Sequence, residues 1–133
     1  MYTCKASEED QKAIWNNLNV TWEELDAKIT AIKPELNNMS AYCVSKASVA
    51  LYASIVANKY PNIKSSTAEP GVVDTAIVAD FTRAKVSTEV GTTSIRHCLF
   101  AELKGNGWFY GCDGLRSPLL TERNGGDPEY DGN

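Results

Sequence analysis

The sequence is poor in the residues that build metal and redox centres. It has a single histidine, His97, and four cysteines, Cys4, Cys43, Cys98 and Cys112, none in a C-x-x-C pair. Zinc sites draw Cys or His ligands at close paired spacings, so no metal site is expected. Long apolar runs are missing as well: no stretch reaches the eighteen or so residues that span a bilayer, and no charged-then-apolar leader opens the sequence. Excess positive charge is the third absence. Thirteen Lys and Arg stand against seventeen Asp and Glu, a net charge of -4 with no basic stripe. Nucleic-acid and membrane partners are therefore not expected, because phosphate neutralisation needs clustered cations. Without a secretory signal the thiols are expected to be free and the location cytoplasmic, with the triplets Asn19-Val20-Thr21 and Asn38-Met39-Ser40 accidental rather than glycosylated.

What is present suits a globular fold. In 133 residues 43% are apolar and 23% charged, with a mean hydropathy of -0.30. That supply of apolar surface offsets much of the entropy of ordering the chain. Ser7 followed by Asp10, and Thr21 followed by Glu24, read as helix starts of the capping-box kind. Trp22, Leu25, Ile29 and Ile32 recur at helical spacing, which predicts an amphipathic helix over 21–36 weakened by Pro34. A stronger helix is predicted over 40–58, with Cys43, Val44, Ala47, Ala50, Leu51, Ile55 and Val56 as its apolar set and Pro61 as its stop. Small residues along it favour close packing on a sheet.

A strand is predicted at 63–68, before the turn Glu69-Pro70-Gly71, and an aromatic strand at Trp108-Phe109-Tyr110. Between them, 72–81 is apolar but of no clear type. A helix over 87–104 should bury Val90, Ile95, Cys98, Leu99 and Leu103, with Gly105 as its stop. Trp108, Phe109 and Tyr110 read as strand core and His97 as a packed or surface histidine. From Arg116 the composition turns to Pro, Gly, Asp and Asn, which suggests a loosely held tail over 118–133. Alternating helices and strands make the fold class α/β.

Tyr42 and Lys46 stand four residues apart on the strong helix, so their side chains share a face. A phenol used as a general acid benefits from a neighbouring ammonium, which favours its deprotonated form. The same spacing recurs at Tyr60 and Lys64, but Pro61 lies between them and breaks the helix. On spacing alone, the reading of Tyr42 as an ordinary helix tyrosine at the sheet edge wins.

The surrounding residues say more. Ser40-Ala41-Tyr42-Cys43-Val44-Ser45-Lys46-Ala47-Ser48-Val49, then a strand, then Pro70-Gly71-Val72-Val73-Asp74-Thr75, resembles the short-chain dehydrogenase/reductase family, where a Y-x-x-x-K helix precedes a strand and a P-G-x-V-x-T turn. The resemblance covers about 7–117. Val20 to Ser40 looks like the helical insertion of the carbonyl-reductase-like branch, Ser87 to Gly91 like the start of the last core helix, and Gly107 to Gly114 like the final strand with its D-G.

What the resemblance implies is an NAD(P)H-dependent reduction of ketone or aldehyde carbonyls. Tyr42 would donate the proton to the carbonyl oxygen. Lys46 would hold the nicotinamide ribose and lower the tyrosine pKa. Pro70, Gly71, Val72 and Thr75 would line the nicotinamide end of the cofactor, NADPH or NADH. Gly71 admits close backbone approach there and Thr75 offers a hydroxyl. The expected fold is the C-terminal portion of a Rossmann-like doubly wound parallel sheet lacking its N-terminal βαβ units. It would form one partial domain: 1–39 the insertion, 40–117 the core, 118–133 the tail. The family's G-x-x-x-G-x-G turn and N-A-G segment do not occur, and neither Gly105-Asn106-Gly107 nor Gly125-Gly126 follows a strand and opens a helix. The family's serine has no counterpart, since Ser7 and Ser40 lie in the wrong context. The chain is therefore expected to be truncated and inactive alone. The alternatives are a non-catalytic chain or a small α/β interaction module, a monomer by resemblance, with an exposed sheet edge as its route to association.

Overall fold

The computed structural model describes residues 7–119, 123 and 126–132. Cys4 and the remainder of the tail lie outside them. The described part opens on a short helix, α1 (Glu8–Asp10), where the Ser7 hydroxyl accepts the Asp10 N–H at 3.1 Å. A wider π-type turn, Gln11–Trp15, carries the chain on and buries Trp15. Helix α2 (Trp22–Ile32) starts with the capping box written in its sequence: Thr21 accepts from the Glu24 N–H while the Glu24 carboxylate accepts from the Thr21 N–H. Lys28 bonds Asp10 at 2.5 Å and ties α2 to α1. Pro34 converts the end of α2 into a 3-10 turn, Lys33–Glu35.

Helix α3 (Asn38–Lys59) begins two residues before the predicted start. Its N-cap is Asn37, whose side chain accepts the Ser40 N–H at 2.9 Å while the Ser40 hydroxyl accepts the Asn37 N–H at 2.9 Å. Ser40 is thus the reciprocal third residue rather than the cap. Val44, Ala47, Leu51 and Ile55 join Trp15, Val20 and Leu25 in the hydrophobic core, with Ile14, Ile29, Ile32, Leu36 and Leu119 packed around it. Each such large side chain contributes about 1.5–3 kcal/mol by leaving water. Contrary to the expectation that no stretch reaches a bilayer-spanning length, α3 is long and apolar enough to do so by length and composition alone, and 39% of that window is buried in the fold.

The sheet has three strands, β1 (Ser66–Ala68), β2 (Trp108–Tyr110) and β3 (Arg116–Ser117), in that order. β1 runs parallel to β2, with Thr67 opposite Phe109, and β3 runs antiparallel to β2, with Tyr110 opposite Arg116. The protein is therefore α/β, but its sheet is mixed. The expectation of a purely parallel sheet fails because the chain reverses within 111–115, too few residues for a crossover. The Gly111 N–H donates to the Leu115 carbonyl, and Gly114 takes φ +79° to make the turn. β1 is shorter than predicted. Asn106 holds its start, accepting from the Ser65 N–H and donating to the Ile63 carbonyl, and Ile63 stays exposed.

The crossover from β1 to β2 also differs from expectation. The predicted helix over 87–104 is broken into α4 (Thr88–Gly91) and α5 (Thr93–Phe100), and Gly105 is not its stop. Its buried side carries Gly91 and Ser94, while Val90, Ile95 and Leu99 are exposed. Close approach explains the reversal. A Cβ on Gly91 would stand 2.4 Å from Val73 Cγ2, so no larger side chain fits there. Gly105 gives its side-chain space to the Trp108 ring.

The two helical layers lie on opposite faces. Gly107 packs on Ser54 and Ala57 of α3, and Phe109 shares its parity; Tyr110, of the other parity, stacks with His97 of α5 at 5.0 Å. The untyped stretch after β1 forms a parallel bridge, Val73 with Val86, and a 3-10 turn, Ala76–Val78. The residues expected to form a loose tail make several contacts where they are described. The Arg116 guanidinium lies 3.9 Å from the Trp108 ring and 5.2 Å from that of Tyr130, and Glu129 pairs with Lys104 at 3.2 Å. Trp108 is thus a stacking partner for a cation as well as a strand residue.

Candidate functional site

Tyr42 and Lys46 stand in the second and third turns of α3, whose start is fixed by the capping box at Asn37. Lys46 Nζ lies 5.5 Å from the centre of the Tyr42 ring. The phenol is 59% exposed, so a ligand can reach it. The other spacing match is split: α3 ends at Lys59, Tyr60 leaves the helix with φ -130°, and Lys59 rather than Lys64 lies over its ring.

Pro70, Gly71, Val72 and Thr75 follow the carboxyl end of β1. Gly71 has φ +74°, a conformation that favours glycine, and a Cβ there would meet Cys112 Cβ at 3.2 Å. The turns after the two parallel strands therefore touch. The Val72 carbonyl accepts from the Val86 N–H, which holds the segment in place. Thr75 is extended, with its hydroxyl 3.4 Å from the Val73 carbonyl, and Asp74 lies 3.8 Å from Lys85.

Chain direction relates the two groups. α3 leads into β1 through a short link, so its C-terminal turns lie at the amino ends of the strands. Ser54 bonds the carbonyl of Gly107, just before β2, at 2.9 Å. The opposite end of α3, with Tyr42 and Lys46, points towards the carboxyl ends of β1 and β2. In open α/β sheets, ligands bind outside those carboxyl ends.

An open groove of ≈ 890 Å³ lies farther along α3, between it and the start of α2, lined by Trp22, Val49, Tyr52, Val56 and Tyr60. Neither Tyr42 nor Lys46 lines it. Trp22 meets Tyr52 edge-on at 5.8 Å, so the 21–36 segment covers one flank of α3. Burial pushes the Tyr110 phenol above its ordinary value, with Cys98 and Glu129 adding to the effect. Cys43, Cys98 and Cys112 are unpaired, and among the described residues no three Cys, His, Asp or Glu side chains converge. Sequence reasoning overlooked the Arg116 stack, whose partners lie far apart in the chain. No protein-family model, curated protein or solved structure matches the chain.

Proposed function

We propose that the chain is the C-terminal portion of a Rossmann-like carbonyl reductase of the short-chain dehydrogenase/reductase kind. The observation that carries this reading is the shared location of two groups distant in sequence. Lys46 Nζ lies 5.5 Å from the centre of the Tyr42 ring, and the direction of α3 turns that end of the helix towards the side of the sheet on which Gly71 takes φ +74°. The chemistry is reduction of a ketone or aldehyde, with Tyr42 Oη giving its proton to the carbonyl oxygen as negative charge develops there. Lys46 positions the ribose hydroxyls beside it. Pro70, Gly71, Val72 and Thr75 line the nicotinamide end. The fit to a dinucleotide is partial: those residues suit the nicotinamide ribose, but the chain has no glycine-rich strand-to-helix turn to seat a pyrophosphate. NADPH or NADH, when bound, supplies the hydride.

The same partial fit favours a second reading, in which this chain by itself does not turn over and acts as a non-catalytic α/β module. Titration with NADPH and NADH, followed by nucleotide fluorescence, separates the two. Saturable binding at micromolar concentration, with carbonyl reduction abolished by Tyr42→Phe and retained in Tyr60→Phe, supports the reductase. Absence of binding by the chain supports the module. Equal loss from both tyrosine variants rejects the assignment of Tyr42.

A further inference from the structure

Three exposed aromatic rings line one groove. Trp22, the first residue of α2, Tyr52 of α3 and Tyr60 at the end of α3 all border the open space of ≈ 890 Å³ between the two helices, and each is about half exposed. Val49 stands three residues before Tyr52 and Val56 four after it, so an apolar strip about 10 Å long runs along α3 beside the rings. Trp22 and Tyr52 meet at 5.8 Å with their planes 79° apart. Two rings near a right angle leave a corner in which one ion reaches both π faces, and the face is the negative part of an aromatic ring. A compact cation gains most from such a corner.

The rim selects the kind of cation. Asn58 donates to the Leu18 carbonyl at 2.8 Å, Ser48 donates to the Val44 carbonyl at 2.8 Å, and Thr21 is engaged in the cap of α2. Few rim groups are left to hydrogen-bond a ligand. Glu23, beside Trp22, also lines the groove, and its carboxylate makes no ion pair among the described residues. The positive end of the α2 dipole lies here too, but it amounts to about half a charge against a full one on each of Glu23 and Glu24. Lys59 keeps its Nζ 5.6 Å from the centre of the Tyr60 ring, about 10 Å along α3 from Tyr52, so its repulsion at the corner is largely screened. A primary ammonium brings three N–H donors that this rim would leave unserved. A quaternary ammonium brings none. We propose that the groove binds a small quaternary ammonium compound, with its trimethylammonium head in the Trp22–Tyr52 corner beside Glu23 and an attached alkyl chain along Val49 and Val56. The site is independent of the reductase reading, since neither Tyr42 nor Lys46 lines it.

Titration of the full chain at constant ionic strength, followed by NMR of the groove amides and the Trp22 indole N–H, tests this. Choline should bind saturably with a Kd of about 10 mM or less, and its uncharged isostere 3,3-dimethyl-1-butanol at least about fivefold more weakly. Hexyltrimethylammonium should bind at least about tenfold more tightly than choline, through its chain. Trp22→Leu and Tyr52→Leu should each raise the choline Kd at least about threefold, and Glu23→Gln at least about twofold, with far-UV circular dichroism unchanged. No saturable shift up to about 50 mM choline, or a neutral isostere that binds as tightly, overturns the proposal. That comparison uses the native chain and so stands whatever the variants do to the fold. A folded Trp22→Leu or Tyr52→Leu chain that binds choline normally also overturns it. A trimethyl-lysine peptide that binds more tightly than hexyltrimethylammonium would make the occupant a protein and overturn the small-molecule assignment.

Discussion

The Ser94 hydroxyl donates a 2.8 Å hydrogen bond to the main-chain carbonyl of Glu69, fastening α5 to the residue that ends β1. Ser94 is wholly buried. Ser94→Ala should therefore leave a carbonyl without this donor and cost about 1–2 kcal/mol in urea denaturation. An unchanged midpoint would mean that the bond contributes nothing net.

Gly91 tests the close approach of α4 to Val73. Helix propensity alone favours Gly91→Ala by about 1 kcal/mol. The new Cβ would lie 2.4 Å from Val73 Cγ2, so the expected sign is the opposite, a loss of about 1–3 kcal/mol. Val73→Ala added to Gly91→Ala should recover part of that loss in a double-mutant cycle; strictly additive losses would reject the contact.

Asp113 makes part of the stability depend on pH. Burial raises its carboxyl pKa, but the hydrogen bonds from Arg123 and the Leu115 N–H, with the Arg123 charge, outweigh burial and hold it below the usual value of 3.8. A carboxyl depressed in the folded state stabilises fully above its unfolded pKa, and the contribution is lost as pH falls through the folded value. The stability curve should therefore drop as pH falls below about 4. Asp113→Asn should be less stable at neutral pH and flatter over that acid limb, as measured by urea melts at stepped pH. An acid limb identical to that of the native chain would rule out Asp113 as its source.

Arg116 joins Trp108 to Tyr130 by stacking, and its Nη1 bonds the Asp131 carbonyl at 3.2 Å. Arg116→Ala should cost about 1–2 kcal/mol and increase hydrogen exchange over 126–132. Arg116→Lys keeps the charge without the planar guanidinium and should recover little. Full recovery by lysine would show that charge alone matters.

Local signals in the sequence carried over best. The Thr21–Glu24 box, the Pro61 stop, the aromatic strand and the shared face of Tyr42 and Lys46 each depend on residues within a few positions of one another. The failures arose where tertiary packing chose between local options. Val90, Ile95 and Leu99 have the periodicity of a buried stripe, yet the sheet meets the glycine and serine beside them. The third strand is two residues long, below what periodicity can detect, and its direction comes from a glycine turn. The candidate site was legible as a motif; its coherence at one end of the sheet follows from chain direction.

The small residues by which α3 meets the sheet have a mechanical consequence. Ser54 and Ala57 bring the helix to the backbone of Gly107, where a Cβ would lie 3.0 Å from both Ser54 Cα and Ala57 Cβ. That contact is a fulcrum with almost no slack. Tyr42 lies about 18 Å from Ser54 along the helix at 1.5 Å per residue, so a tilt of about 5° would carry the phenol by roughly 1.5 Å. Under the proposed reductase reading, a displacement of that size would be enough to spoil proton delivery to a positioned substrate. Substitutions at the far end of α3, which touch nothing near the phenol, would therefore act on it as a lever acts on its tip.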